Sequence, residues 1–284
     1  MEGLARALPI QTYANGYTHP ISAIALDPAS TTLAAASNKT LVITDVVTQQ
    51  VKRRFQGHAG AINAVAISNG CETYLSASYD GSVRIWDGRS NSYEPIMALQ
   101  EAKDSVTDVH VVQDAEEPSH NRNRQANTAM IRTASVDGVV RTYDLRKGNM
   151  FADDCGSAIT SMTPTHDGQC LVISCLDSPI RLMDLDSGEL MNTYTSGHVA
   201  GQYGLECCMT ADDATLVTGS EDGKAVCYDI VRGHSVQTLE GHSRPTCSVA
   251  AHPKRDNNSV VITASYDGTA VVWAADEGFM KWED

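Results

Sequence analysis

The sequence predicts an all-β chain folded as a propeller of repeated four-stranded units. Three observations carry this. One short motif recurs, its spacing is nearly constant, and each copy alternates strand-like runs with turn residues. Five copies are plain: Ser78-Tyr79-Asp80-Gly81 leading to Ile85-Trp86-Asp87, Ser135-Val136-Asp137-Gly138 leading to Tyr143-Asp144, Leu176-Asp177-Ser178 leading to Met183-Asp184, Ser220-Glu221-Asp222-Gly223 leading to Tyr228-Asp229, and Ser265-Tyr266-Asp267-Gly268 leading to Trp273. A sixth, degenerate copy is Ser37-Asn38-Lys39 leading to Ile43-Thr44-Asp45. The turn positions Asn38, Asp80, Asp137, Asp177, Asp222 and Asp267 stand 42, 57, 40, 45 and 45 residues apart. A period of roughly 40–45 residues is the spacing of four-stranded propeller blades.

Repeat two justifies the elements in order. Ala61 to Ile67 reads as a buried apolar strand, Asn69-Gly70 as a turn, and Thr73 to Ser78 as the next strand. Asp80-Gly81 is a tight hairpin in which glycine supplies the positive φ. Ser82 to Trp86 is a third strand, rich in β-branched and aromatic residues, and Tyr93 to Leu99 a fourth, outer one. A Gly-His opens three units, at Gly57-His58, Gly197-His198 and Gly241-His242. In repeats three and four Lys103-Asp104 and Gly156-Ser157 stand in its place. The repeats run over 4–45, 51–87, 95–144, 148–184, 189–229 and 235–273 of a single domain, 1–284, with a polar insertion at 113–127. Four strands per unit make the propeller reading.

Composition narrows the function. The net charge is −14, from 35 acidic and 21 basic residues. Binding a phosphate backbone needs a basic face, and the basic run is short: Lys52-Arg53-Arg54. Charge steering therefore favours basic protein partners over nucleic acid, or the acidity serves solubility. No apolar run approaches the roughly 18 residues of a membrane span. Residues 1–16 lack the features of a signal peptide, so the chain reads as intracellular, and the two N-x-S/T sequons at Asn38 and Asn257 as unused. The eight cysteines include no C-x-x-C pair and mostly sit in apolar runs (Cys170, Cys175, Cys208, Cys227), which argues against zinc and disulfides. The acid pairs Asp153-Asp154 and Asp212-Asp213 read as solvated turn residues, and His166-Asp167-Gly168 as a hairpin turn. No nucleotide-binding or hydrolase motif is present, so no cofactor, metal or catalytic residue is expected.

These residues carry a family likeness. The chain resembles the WD-repeat scaffold family called mitogen-activated protein kinase organizer, from about Ile10 to Trp273. The likeness is strongest in Phe55-Gln56-Gly57-His58-Ala59-Gly60, Arg84-Ile85-Trp86-Asp87-Gly88-Arg89-Ser90 and Ala134-Ser135-Val136-Asp137-Gly138. It continues in Tyr143-Asp144-Leu145-Arg146, Cys155-Gly156-Ser157-Ala158-Ile159-Thr160, Asp167-Gly168-Gln169-Cys170 and Leu176-Asp177-Ser178. The Asp-Gly and Trp-Asp elements are common to WD proteins. The Asp-Gly-Gln-Cys run and the Glu94-Pro95 and Glu101-Ala102 stretch are more particular. The resemblance implies a seven-bladed propeller that scaffolds a kinase cascade and is found with the spliceosome, in the cytoplasm and the nucleus. Six repeats are visible here, as in a seven-bladed fold lacking most of its first blade. Either the chain is truncated, or it closes with six blades by lending Leu4 to Tyr13 as the outer strand of the blade holding Val260 to Trp273.

In WD blades a histidine, a strand serine, the turn aspartate and the tryptophan form a buried relay. The corresponding residues are His58, Asp80 and Trp86 with Ser76 or Ser78, then Asp137, His198, Asp222, and His242, Asp267 and Trp273. A Ser-His-Asp set that recurs blade after blade fits polar satisfaction better than catalysis. The residue before the turn aspartate faces the wide end of a WD propeller, which points to Tyr79 and Tyr266, beside Val136, Leu176 and Glu221. Exposed tyrosine is a good anchor for a partner, although it can also merely pack on neighbouring loops. Trp86-Asp87-Gly88-Arg89 and Tyr143-Asp144-Leu145-Arg146 match the W/Y-D-x-R docking box of cullin-RING ubiquitin-ligase substrate receptors. There Arg89 and Arg146 either meet an adaptor or pair locally with acids. The resulting expectation is a non-catalytic scaffold, monomeric within larger complexes with kinase-cascade or spliceosomal proteins. A ubiquitin-ligase receptor is the alternative.

Overall fold

The computed structural model describes residues 13, 17–68, 72–112, 130–253 and 260–274. These residues form 23 strands and no helix, in six antiparallel sheets. The first sheet is β1 (Ile21–Leu26), β2 (Thr32–Ser37), β3 (Thr40–Asp45) and β4 (Val51–Gln56). The second is β5 (Ile62–Ile67), β6 (Thr73–Ser78), β7 (Val83–Asp87) and β8 (Met97–Leu99). The third is β9 (Val106–Val111), β10 (Met130–Ser135), β11 (Val139–Asp144) and β12 (Asn149–Asp154). The fourth is β13 (Ile159–Pro164), β14 (Cys170–Cys175), β15 (Ile180–Asp184) and β16 (Leu190–Tyr194). The fifth is β17 (Cys207–Met209), β18 (Thr215–Gly219), β19 (Lys224–Asp229) and β20 (Ser235–Glu240). The sixth is β21 (Thr246–Ala251), β22 (Val260–Ser265) and β23 (Ala270–Ala274). Within each sheet the strands pair in chain order, as a meander. The fold is a six-bladed β-propeller.

The motif explains the hairpins. The turn between the second and third strands places Gly81, Gly138, Gly223 and Gly268 at φ of 76°, 83°, 83° and 80°. At the glycine position of the fourth blade Ser178 takes φ 86°, and the shorter first-blade turn uses Asn38 at φ 53°. The outer strand of the second blade is shorter than the sequence suggests. Only Met97–Leu99 is strand, because Tyr93 to Ile96 form a loop around Pro95, which has no N–H for a ladder. Asp153 and Asp154 end strand β12 rather than occupying a turn. Asp213 is not simply solvated: it accepts the His166 N–H at 2.9 Å and lies 2.9 Å from His166 Nδ1, clasping the turns of the fourth and fifth blades. Asn69-Gly70, the 113–127 insertion and the Asn257 sequon lie outside the described residues, as does the expected Leu4 to Tyr13 strand except for Tyr13. The Tyr13 hydroxyl donates to the Val46 carbonyl at 3.1 Å.

The core lies between blades rather than within one. Five buried clusters each join two consecutive sheets. Between the first and second, Leu41, Ile43 and Phe55 meet Ile62, Tyr74 and Trp86, and the Phe55 and Trp86 rings stack at 5.1 Å. Each fully buried aliphatic side chain of this kind contributes about 1.5–3 kcal/mol. A polar side chain near the start of the innermost strand then ties each of the first four blades to the next. Ser22 Oγ donates to Ile62 O (2.6 Å), Asn63 Nδ2 to Val106 O (2.8 Å), Thr107 Oγ1 to Ile159 O (3.0 Å) and Thr160 Oγ1 to Leu205 O (3.0 Å). Such bonds satisfy carbonyls that no strand partner reaches. The sequence repeat and the sheet are out of phase by one strand, since residues 51–87 supply β4 of the first sheet and β5–β7 of the second. On the two outward faces, Ile21, Ile24 and Leu26 of β1, and Ile262 and Val272 of the sixth sheet, are exposed.

Candidate protein-interaction site

The second blade shows how the rim of the propeller is held. Trp86 Nε1 donates to Ser76 Oγ at 2.9 Å, Ser76 Oγ lies 2.8 Å from His58 Nε2, and His58 Nδ1 lies 3.0 Å from Asp80 Oδ2. With the proton on Nδ1, every donor in this chain has one acceptor. Asp80 also accepts the Ala59 N–H and the Ser82 hydroxyl, at 2.8 and 2.5 Å. Burial alone would raise the Asp80 pKa. The Ser82 and His58 hydrogen bonds and the Ala59 N–H outweigh it and hold the carboxyl well below its usual range. Burial lowers the His58 pKa against the pull of Asp80. The serine is Ser76; Ser78 instead donates to Ala61 O at 2.9 Å. Ser76 is completely buried and its oxygen is spent on Trp86 and His58, so no substrate reaches it as a nucleophile. At the preceding Gly57 a Cβ would stand 2.3 Å from the end of the flexible Arg84 side chain, which would have to swing aside.

The sixth blade repeats the relay with threonine in place of serine. Trp273 Nε1 donates to Thr263 Oγ1 (2.8 Å), which lies 2.8 Å from His242 Nε2, and His242 Nδ1 lies 3.2 Å from Asp267. The fifth blade departs from the expected pairing of His198 with Asp222. His198 Nδ1 meets the Tyr228 hydroxyl at 2.7 Å and Nε2 meets Ser178 O at 2.6 Å, which uses both ring nitrogens. Asp222 caps its own turn through the Lys224 N–H. Asp137 of the third blade has no histidine and takes a partner that the sequence reading missed. Arg141 Nη2 lies 2.7 Å from Asp137 Oδ2 and its Nη1 donates to Ser135 Oγ at 2.8 Å. The fourth blade does the same with Arg181 and Asp177 at 2.9 Å. Among the described residues no His, Cys, Asp or Glu group could hold a metal ion, and the seven described cysteines are free.

These frameworks present the residues before the turn aspartates at one rim. The backbone N–H of Tyr79, Val136, Leu176, Glu221 and Tyr266 donates to Ala61, Ser105, Ala158, Val199 and Pro245, at 2.8–3.1 Å. Tyr79 is 70% exposed and Tyr266 51%. Tyr266 packs on Tyr203 with ring centroids 5.3 Å apart. Tyr203 itself was missed, because it lies in the loop before β17, outside the repeat motif. The Glu221 carboxylate fixes that loop by accepting the Gln202 and Tyr203 N–H groups at 2.6 and 2.9 Å. The two arginines differ. Arg89 pairs with Glu72 at 3.0 Å and Asp87 at 3.5 Å, whereas the Arg146 side chain is exposed and forms no ion pair among the described residues.

The family model for the WD domain, G-beta repeat, matches residues 49–87 and 233–274. A Dictyostelium discoideum protein, WD repeat domain-containing protein 83 homolog, is 32% identical over 261 residues, covering 86% of this chain and 78% of its own. The chain belongs to the WD repeat domain-containing protein 83 family. The Rattus norvegicus member is 41% identical over 165 residues and the Homo sapiens member 39% over 160. Those alignments cover 58% and 56% of this chain, and 47% and 46% of the relatives, so the chain spans about half the length of these mammalian members. A WD-repeat propeller of this family is a protein-interaction platform.

Proposed function

We propose that the chain is a non-catalytic scaffold that brings together members of a mitogen-activated protein kinase cascade and also associates with spliceosomal proteins. In this reading it acts as one propeller domain, monomeric within larger complexes, in cytoplasm and nucleus. The observation that carries the reading is the rim itself. Exposed aromatic side chains stand there on a framework whose polar groups are internally satisfied, which is how interface anchors are preorganised. The test is affinity purification of the tagged chain with mass spectrometry, beside a Tyr79→Ala/Tyr266→Ala variant. Kinase-cascade or splicing proteins should accompany the wild type and be depleted with the variant, whose stability should fall by no more than about 1.5 kcal/mol, the scale of losing the Tyr266–Tyr203 ring contact. Equal recovery with both forms would remove the rim as the docking surface.

One observation favours a second reading, a substrate receptor of a cullin-RING ubiquitin ligase. Arg146 stands exposed in the turn that follows Tyr143-Asp144 at the end of β11, and its guanidinium forms no ion pair among the described residues. Arg89→Ala/Arg146→Ala should then abolish recovery of a cullin adaptor without unfolding the blade. Adaptor recovery that survives both substitutions would sink this reading.

A further inference from the structure

We propose that the groove beside the outer strand of the first blade binds an extended acidic peptide of a partner protein. The groove, of about 820 Å³, is lined by Val51, Lys52, Arg53 and Arg54 of β4 and by Asn91 and Tyr93 of the loop before β8. It therefore bridges two blades on the circumference, away from the rim tyrosines. It is the basic exception on a chain of net charge −14. Lys52 is committed to Asp45 at 2.9 Å. Arg53 and Arg54 form no ion pair among the described residues, and Asn91 Oδ1 steadies the Arg53 guanidinium at 3.3 Å. Arg53 and Arg54 both line this site and alternate across β4, Arg53 on the face toward Asn91 and Arg54 on the exposed one, so a chain laid along the strand meets a guanidinium from either face, and guanidiniums can grip carboxylates bidentately. Tyr93, 68% exposed, gives the opposite wall an aromatic surface.

The backbone adds a reason for an extended ligand. β4 pairs with β3 on one side only, so the N–H and C=O groups along its other edge have no ladder partner. A peptide strand laid along that edge gains main-chain hydrogen bonds while its acidic side chains meet the arginines. Basic residues on an edge strand also deter aggregation, but that purpose does not require Asn91 and Tyr93 to close a groove over them. A short acidic peptide is confined to the basic site, whereas a longer nucleic acid would run onto the acidic surface around it. The inference rests on the scaffold reading only in taking the ligand to be a protein.

The test uses fluorescence anisotropy with the full chain and a labelled ten-residue peptide of alternating Glu and Ser. A Lys-Ser peptide and a ten-nucleotide oligouridine are the comparison probes. The acidic peptide should bind, more weakly as salt rises, and the Lys-Ser peptide should not. Arg53→Ser/Arg54→Ser should weaken binding by about tenfold or more, the scale of losing hydrogen bonds to charged groups. Lys147→Ser/Arg232→Ser should leave it unchanged. The single, exposed Arg54→Gln keeps the test decisive if the double variant folds poorly, since it too should bind measurably more weakly. No binding of the acidic peptide, equal binding by Arg54→Gln, or tighter binding of oligouridine through the same arginines would overturn the proposal. Each of these leaves the rim tyrosines, and hence the scaffold reading, to stand or fall on its own experiment.

Discussion

Replacing Arg141 by methionine would strip the third blade of the cation that stands in for the missing histidine. Arg141 is only 5% exposed and reaches both Asp137 (2.7 Å) and Ser135 (2.8 Å). Removing one partner of a buried pair leaves the other charge without compensation and costs about 3–5 kcal/mol. Here Asp137 keeps the Lys103 and Val139 N–H groups, at 2.9 and 3.1 Å, so the low end applies, about 3 kcal/mol. Urea denaturation followed by circular dichroism at pH 7 measures the loss. Acid provides a second signature. Burial acts to raise the Asp137 pKa, but Arg141, Ser135 and the Lys103 N–H lower it well below the reference value of 3.8. A carboxyl depressed in the folded state contributes stability above its unfolded pKa and loses it as pH falls toward the folded value. The gap between wild type and variant should therefore narrow below about pH 3.8. A loss under about 1 kcal/mol at pH 7, the scale of an exposed pair, or a gap indifferent to acid, would refute the reasoning.

Gly219→Ala would drive a Cβ to 2.1 Å from the Thr246 carbonyl oxygen at the joint of the fifth and sixth blades. Backbone must shift there, and thermal denaturation should show a loss of about 2–3 kcal/mol; an unchanged melting temperature would mean that the two blades are not seated as described. Thr160→Val deletes the hydroxyl that reaches Leu205 O and should cost about 1 kcal/mol in the same assay. His58 should titrate, by the NMR shift of its Cε1 proton, with a midpoint below 6.5, because burial is the dominant influence on it. Its proton then binds more readily in the unfolded chain, so this group removes stability as pH falls below 6.5. A midpoint above 6.5 would show that Asp80 dominates instead.

The blade hairpins are legible because a left-handed residue is a hard backbone requirement, and Asp-Gly meets it wherever it occurs. The relay is legible in the second and sixth blades, where histidine, hydroxyl, aspartate and tryptophan all keep their offsets. It fails in the fifth because a phenol replaces the indole. The Tyr228 hydroxyl reaches His198 directly and bypasses the serine position. Arg141 and Arg181 were readable only as a compound signal, an arginine two positions before the Tyr143 or Met183 site together with a missing Gly-His. An arginine alone does not suffice, since Arg84 occupies the same place in a blade that keeps its histidine. Tyr203 was out of reach because its exposure depends on the course of a loop, which no period encodes.

The one-strand offset between repeat and sheet has a genetic consequence. A duplicated or deleted repeat adds or removes the outer strand of one blade and the inner three of the next. The blades on either side of the change then meet through the same kind of apolar joint and the same polar tie as before. Because each blade touches only its neighbours, such an event alters the number of wedges around the axis without requiring new chemistry at any seam. Blade number is thus the quantity that unequal crossing-over can change most cheaply, while the histidine or arginine inside each of the second to sixth wedges is free to diverge on its own.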